Sequence, residues 1–105
     1  MSHPAVDLDD LVHQRVRLAI LAVLVEASRV DFRYLKDTLG LTDGNLSRHL
    51  QVLEEARLVT LSKGFEGKRP RTWITVTRAG RGAFTAEIDA LKAIVGRFDR
   101  TRRQS

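Results

Sequence analysis

Apolar residues recur at helical spacing through the first half of the chain, alternate near its middle, and return to helical spacing at the end. Over residues 11–27, Val12, Val16, Ala19, Ile20, Val23, Leu24 and Ala27 fall at three- and four-residue steps, predicting one amphipathic, mostly buried helix. Asp9 and Asp10 stand before it, where negative charge meets the positive end of a helix dipole. Val30 and Phe32 leave room only for a short strand or extended link. A brief helix is predicted near residues 33–39, with Leu35 and Leu39 on one face, and Gly40 sits where a left-handed C-terminal residue is wanted. Thr42 is a good N-cap for a longer helix over residues 42–56. In it Leu46, Leu50 and Leu53 turn inward. A short helix, a tight turn containing glycine and a longer helix together form a helix-turn-helix pattern.

Alternation follows. Residues 58–62 and 72–76 carry Val59, Leu61, Ile74 and Val76 at every second position, which predicts two strands. The connection 63–71 holds Gly64, Gly67 and Pro70 and is expected to be a long exposed hairpin tip, or wing. Phe65 within it is expected to pack back on the hairpin base rather than to stack on DNA. Thr77 should cap a last helix over residues 78–98, where Phe84, Ile88, Leu91, Val95 and Phe98 repeat at steps of four and three. That seam suits a helix packing lengthwise on another helix. Its first half, with Ala79 and Ala83, is expected to pack within the chain. Its second half, from Ile88 to Phe98, is expected to pair with a second copy, since a bare apolar stripe would otherwise face water. The fold class is therefore α+β, mainly α: a three-helix core, a two-stranded wing and a long C-terminal dimerisation helix. The boundaries read as an arm at 1–10, a winged unit at 11–77, the dimerisation helix at 78–98 and a frayed basic tail at 99–105.

The charge distribution gives this outline a direction. Residues 1–56 hold 6 basic against 9 acidic side chains, whereas residues 57–81 hold 7 basic against Glu66 alone. That stretch is more positive than the whole chain, whose net charge is +5, and concentrated positive charge is the footprint of a polyanion. With the leucines of the 42–56 helix inward, helical geometry turns Asp43, Gly44, Asn45, Ser47, Arg48 and Gln51 outward. Arg48 suits guanine, and Asn45 or Gln51 suits adenine, in the major groove of double-stranded DNA. Thr42 and Ser47 suit phosphates, and His49 a flanking phosphate. Lys63, Lys68, Arg69 and Arg71 would carry the wing along the backbone or into the minor groove. A homodimer would set two such helices on half-sites about one turn (~34 Å) apart.

Other classes lack their signatures. There is no cysteine, hence no disulfide or thiolate site. His3, His13 and His49 have no nucleophile or carboxylate at a telling spacing, so no enzyme, metal or cofactor is expected. His13 with Asp9 or Asp10 would hold zinc only with ligands from a second copy. The apolar run 18–25 is too short to span a bilayer, and the acidic N-terminus is unlike a signal peptide, so a cytoplasmic protein is expected. Two alternatives stay open: a regulator responding to a small molecule held between helices 11–27 and 78–98, and a winged-helix module that binds protein.

Four segments carry a family resemblance: Asp9-Asp10-Leu11-Val12-His13, Arg17-Leu18-Ala19-Ile20-Leu21, Leu41-Thr42-Asp43-Gly44-Asn45-Leu46-Ser47-Arg48-His49-Leu50 and Gly64-Phe65-Glu66-Gly67-Lys68-Arg69-Pro70-Arg71-Thr72. Together they resemble the compact winged-helix regulators related to the MarR and ArsR groups, over residues 8–95. The resemblance implies a homodimeric bacterial or archaeal transcription factor without a separate effector domain. It also implies that the Asn45, Ser47, Arg48 and His49 region and the Lys68, Arg69 and Arg71 wing touch DNA. Such proteins usually have glycine after the recognition helix, where this chain has Arg57. If that position needs a positive φ, arginine costs about 1 kcal/mol relative to glycine.

Overall fold

In the computed structural model, which describes residues 3–104, the chain folds as helices around a small antiparallel sheet. A 3-10 turn at Pro4–Asp7 leads into α1 (Asp10–His13), α2 (Arg15–Ala27), β1 (Arg29–Asp31), α3 (Phe32–Leu39) and α4 (Asp43–Glu55). The hairpin β2 (Val59–Glu66) and β3 (Arg69–Val76) follows, then α5 (Arg78–Gln104). The sheet order is β1-β3-β2, with all pairs antiparallel. Among the described residues no helix is long and apolar enough to cross a membrane.

The first helix is not continuous as its periodicity predicts. Gln14 has an extended conformation, and its side-chain oxygen accepts from Arg17 N at 2.9 Å, so it caps a new helix. Asp9 Oδ1 accepts from Leu11 N at 2.9 Å and caps the short α1. Leu21, outside the predicted stripe, is fully buried with Ile20 and Leu24, whereas Ala27 is exposed where α2 ends. The core gathers these with Val12, Val30, Leu35, Leu46, Leu50, Leu53, Val59, Ile74 and Val76. Ser28 then takes φ 68°, and its backbone carbonyl accepts from Val76 N at 3.2 Å, so the end of α2 is tied to β3.

Two helix ends use the same device with different residues. After α3, Gly40 has φ 64°, and Gly40 N and Leu41 N donate to the carbonyls of Asp37 and Lys36. After α4, Arg57 has φ 63°, and Arg57 N and Leu58 N donate to Glu54 and Leu53 at 2.9 Å each. Both are Schellman caps. Arg57 therefore occupies a left-handed position, the conformation that a glycine there would favour.

The wing differs from the expected long tip. Pairing continues to Glu66 opposite Arg69, so only Gly67 and Lys68 make the turn, with Gly67 at φ 63°. Alternation hid these residues because Lys63, Gly64 and Glu66 are polar or small in a hairpin that has left the core. Phe65 does not pack back on the hairpin base. It lies opposite Pro70 and is 77% exposed, because the strands carry it beyond the domain.

Helix α5 begins against the turn after α4. Thr77 Oγ1 accepts from Gly80 N at 2.9 Å and lies 2.8 and 3.0 Å from the carbonyls of Arg57 and Leu58. Thr77 N also donates to the Leu58 carbonyl at 3.0 Å. A Cβ on Gly80 would clash with that carbonyl oxygen. The residue facing the domain is therefore Gly80, while Ala79 is exposed and Ala83 packs on the core's edge. The helix also runs past the predicted end at residue 98 and includes most of the tail. Its 27 residues span about 40 Å. The radius of gyration of 16.4 Å exceeds the roughly 13 Å of a compact chain this size, since α5 projects from the domain.

Replacing Gly80 by Ala should destabilise the fold by about 3 kcal/mol, at the upper end for overpacking, because the obstruction is backbone. Arg57→Gly should instead stabilise by about 0.5–1 kcal/mol, the relief of strain being partly offset by added freedom in the unfolded chain. Urea denaturation of both variants measures the two effects.

Candidate nucleic-acid interface

The buried leucines of α4 orient its opposite face. Leu46, Leu50 and Leu53 are at most 1% exposed, and Thr42 Oγ1 accepts from Asn45 N at 3.1 Å. Thr42, Asp43, Asn45, Ser47, Arg48 and Gln51 are all exposed. Asp43 pairs with Lys36 at 3.0 Å, so the acid at the helix start is partly neutralised from α3. Gln51 Nε2 donates to Glu55 Oε1 at 3.2 Å, one turn along the same face.

His49 differs from its neighbours in being half-buried. Arg17 Nε donates to the Leu11 carbonyl at 2.6 Å, which holds the guanidinium while its Nη1 lies 3.4 Å from His49 Nδ1. Burial lowers the His49 pKa below 6.5, and the charges of Arg17 and then Arg48 lower it further. The imidazole is therefore neutral at neutral pH. With Nδ1 facing a donor, Nε2 carries the proton, leaving a neutral N–H donor on the flank of α4.

On the wing, Lys63, Lys68 and Arg69 are exposed, and Arg71 is placed differently. Its Nη1 lies 2.8 Å from Asp31 Oδ2 on β1 and its Nε 2.8 Å from Glu66 Oε2 on β2. The guanidinium also sits 5.8 Å from the Trp73 ring, over which Arg29 stacks at 4.2 Å. Arg71 thus ties three strands together. A groove of about 430 Å³ separates α4 from the wing and brings Asp43, Ser47 and Gln51 to Lys63. Lys68 and Arg69 lie further out, and Arg69 shares a smaller pocket with Arg33 of α3, a basic residue that the sequence reading passed over. Its only sequence signal is its place on the outer face of a helix whose inner face is Leu35 and Leu39.

The predicted dimer residues divide. Phe84 packs against the core, Ile88 and Leu91 are half-buried, and Val95 and Phe98 are 57% and 62% exposed. Between Phe84 and Ile88 lies Glu87, a buried acid that the apolar stripe concealed. Its Oε1 accepts from Asp9 N at 3.0 Å and its Oε2 lies 2.7 Å from His13 Nδ1. His13 therefore faces Glu87 while the Asp9 carboxylate caps α1. Among the described residues no three His, Asp or Glu side chains are grouped to hold a metal.

Three helices packed on a small sheet, with a polar helix face beside a basic hairpin, define a winged helix protein. A family model described as a winged helix DNA-binding domain matches residues 16–95, and the chain belongs to that family. The family is one of DNA-binding domains and not of enzymes. The protein MJ0432 of Methanocaldococcus jannaschii is 46% identical over 69 residues, covering 66% of this chain and 75% of that protein. The structure of the transcriptional regulator homologue from Pyrococcus horikoshii OT3 matches with a TM-score of 0.86 at 30% identity, covering 94% of this chain and 99% of that one. NadR, solved in complex with 4-hydroxyphenylacetate, matches with a TM-score of 0.65 at 21% identity, covering 95% of this chain and 68% of that one, a likeness of fold.

The depressed pKa of His49 has a defined consequence for folding. The unfolded chain takes up the proton first as pH falls, so this residue leaves stability untouched above about pH 6.5 and lowers it between there and the folded value. His49→Gln should flatten that part of the curve. Urea midpoints of both proteins from about pH 7.5 down to 5 would expose the difference.

Proposed function

We infer that this protein is a sequence-specific transcriptional regulator that binds double-stranded DNA as a homodimer. The observation that carries the reading is the exposed polar face of α4 lying across a groove from a basic hairpin. Asn45, Arg48 and Gln51 are of the types that read base edges in the major groove, and Thr42, Ser47 and the His49 N–H suit phosphates beside it. Lys63, Lys68 and Arg69 supply charge to the backbone or minor groove, while Arg71 mainly stiffens the wing that carries them. Asp43, paired with Lys36, limits repulsion at the start of the helix. Membership of a DNA-binding family and similarity to a structure titled as a transcriptional regulator homologue support the same reading.

The homodimer rests on α5. Its C-terminal half leaves the domain with Val95 and Phe98 exposed, and pairing two such helices would bury them. The charged residues around them, Lys92, Arg97 and Asp99, give the stripe a polar rim.

Duplexes selected from a random library should bind with a steep salt dependence. The triple variant Lys63→Ala, Lys68→Ala, Arg69→Ala should reduce the log–log salt slope by about 0.9 for each phosphate it no longer neutralises. Val95→Glu with Phe98→Glu should convert a dimer to a monomer in analytical ultracentrifugation and weaken binding to two-half-site duplexes more than to single half-sites. Absence of salt-sensitive binding to any duplex would refute the reading.

A further inference from the structure

The wing ends in a large apolar side chain that the fold itself does not use. Phe65 is 77% exposed although it belongs to a regular strand, and its cross-strand partner is Pro70. Alternation puts Phe65 on the hairpin face of Lys63, Leu61 and Val59, with Pro70, Thr72 and Ile74 opposite. This is the face that lines the groove with α4, since Leu61, Lys63 and Thr72 form its wing side. Phe65 and Pro70 therefore extend that face outward past the groove. Lys63 is on the same face, Lys68 is in the turn and Arg69 is on the opposite face, all three exposed, and the one acid of the tip, Glu66, is held by Arg71 at 2.8 Å.

We propose that Phe65 and Pro70 form an apolar wedge that enters the minor groove and partly unstacks one base step, with Lys63, Lys68 and Arg69 on the flanking phosphates. The proposal rests on the DNA-binding reading above and adds a deformation of the duplex to it. Charge complementarity selects the occupant. A phenylalanine at a hairpin tip that also carries three exposed cations meets apolar surface behind a layer of negative charge at a base step, where phenylalanine and proline are established wedge residues. An anionic lipid surface offers the same chemistry. The shared face with α4 favours DNA, because a duplex lying against Asn45, Ser47 and Gln51 would also meet the wing tip. Intrusion at a flexible pyrimidine–purine step would add a sequence preference that α4 does not read.

The test uses the full chain and a duplex selected from a random library, with 2-aminopurine placed in turn through the segment outside the major-groove site. The wild type should raise the fluorescence at one step, reporting an unstacked base. Phe65→Ala should abolish that signal and weaken binding roughly tenfold, with an unchanged salt slope and an unchanged melting temperature. Phe65→Leu should retain part of the signal. If the wild type binds no duplex, the DNA-binding reading fails and the wedge with it. If it binds but no step brightens, or Phe65→Ala binds equally well, the wedge alone is overturned. Phe65-dependent binding to vesicles of anionic phospholipid, with duplex affinity unaffected by the variant, would also overturn it in favour of a membrane.

Discussion

The arrangement of this molecule hinges on the approach of the first turn of α5 to the turn after α4. The Leu58 carbonyl accepts from Thr77 N, and Gly80 has no side chain in the space beside it. Because the same turn carries the left-handed Arg57 and leads directly into β2, three elements leave one point at set angles. A helix that presents a polar face, a hairpin that presents charge and a long helix that leaves the domain are thus oriented by one hydrogen-bonded junction. Moving it would tilt all three together.

Further ties keep α5 in place beyond that junction. Arg81 donates to Ser28 Oγ at 2.8 Å and to the Val25 carbonyl at 3.3 Å, placing a cation at the C-terminal end of α2, where the helix dipole favours it. Two turns on, the Glu87 carboxylate engages Asp9 N and His13. A buried acid satisfied at both oxygens gives the α1–α5 packing a definite register, and losing one partner would leave a buried oxygen without its hydrogen bond. The N-terminal segment is consequently coupled to the helix whose far end is proposed to pair. Arg71 plays a similar part within the sheet, joining Asp31 of β1 and Glu66 of β2.

Much of the candidate interface was legible because it depends on local periodicity. Leu46, Leu50 and Leu53 determine which side of α4 is buried, and their spacing leaves Asn45, Ser47, Arg48 and Gln51 outside. Arg71 was harder to place, since a basic residue in a basic stretch reads as a ligand contact. Only the pairing of β1 with β3 brings Asp31 to it, across 40 residues of chain. Phe65 was misplaced for a related reason. An apolar residue is expected to find apolar cover, but the hairpin stays paired to Glu66 and carries it away from the domain.

The sequence alone determined the helix-turn-helix of α3 and α4, the hairpin and the long last helix, the buried leucines of α4, the caps at Thr42 and Thr77, the left-handed Gly40 and the concentration of charge after residue 56. These follow from near-neighbour sterics, helical and strand periods and counting of charges. Tertiary structure alone decided that Gly80 and not Ala79 meets the domain and that Glu87 is buried. It also brought Asp31 within 2.8 Å of Arg71 and left Phe65 in solvent. Each of those outcomes turns on which distant backbone or side-chain atom arrives within a few ångströms, and no local pattern encodes such an approach.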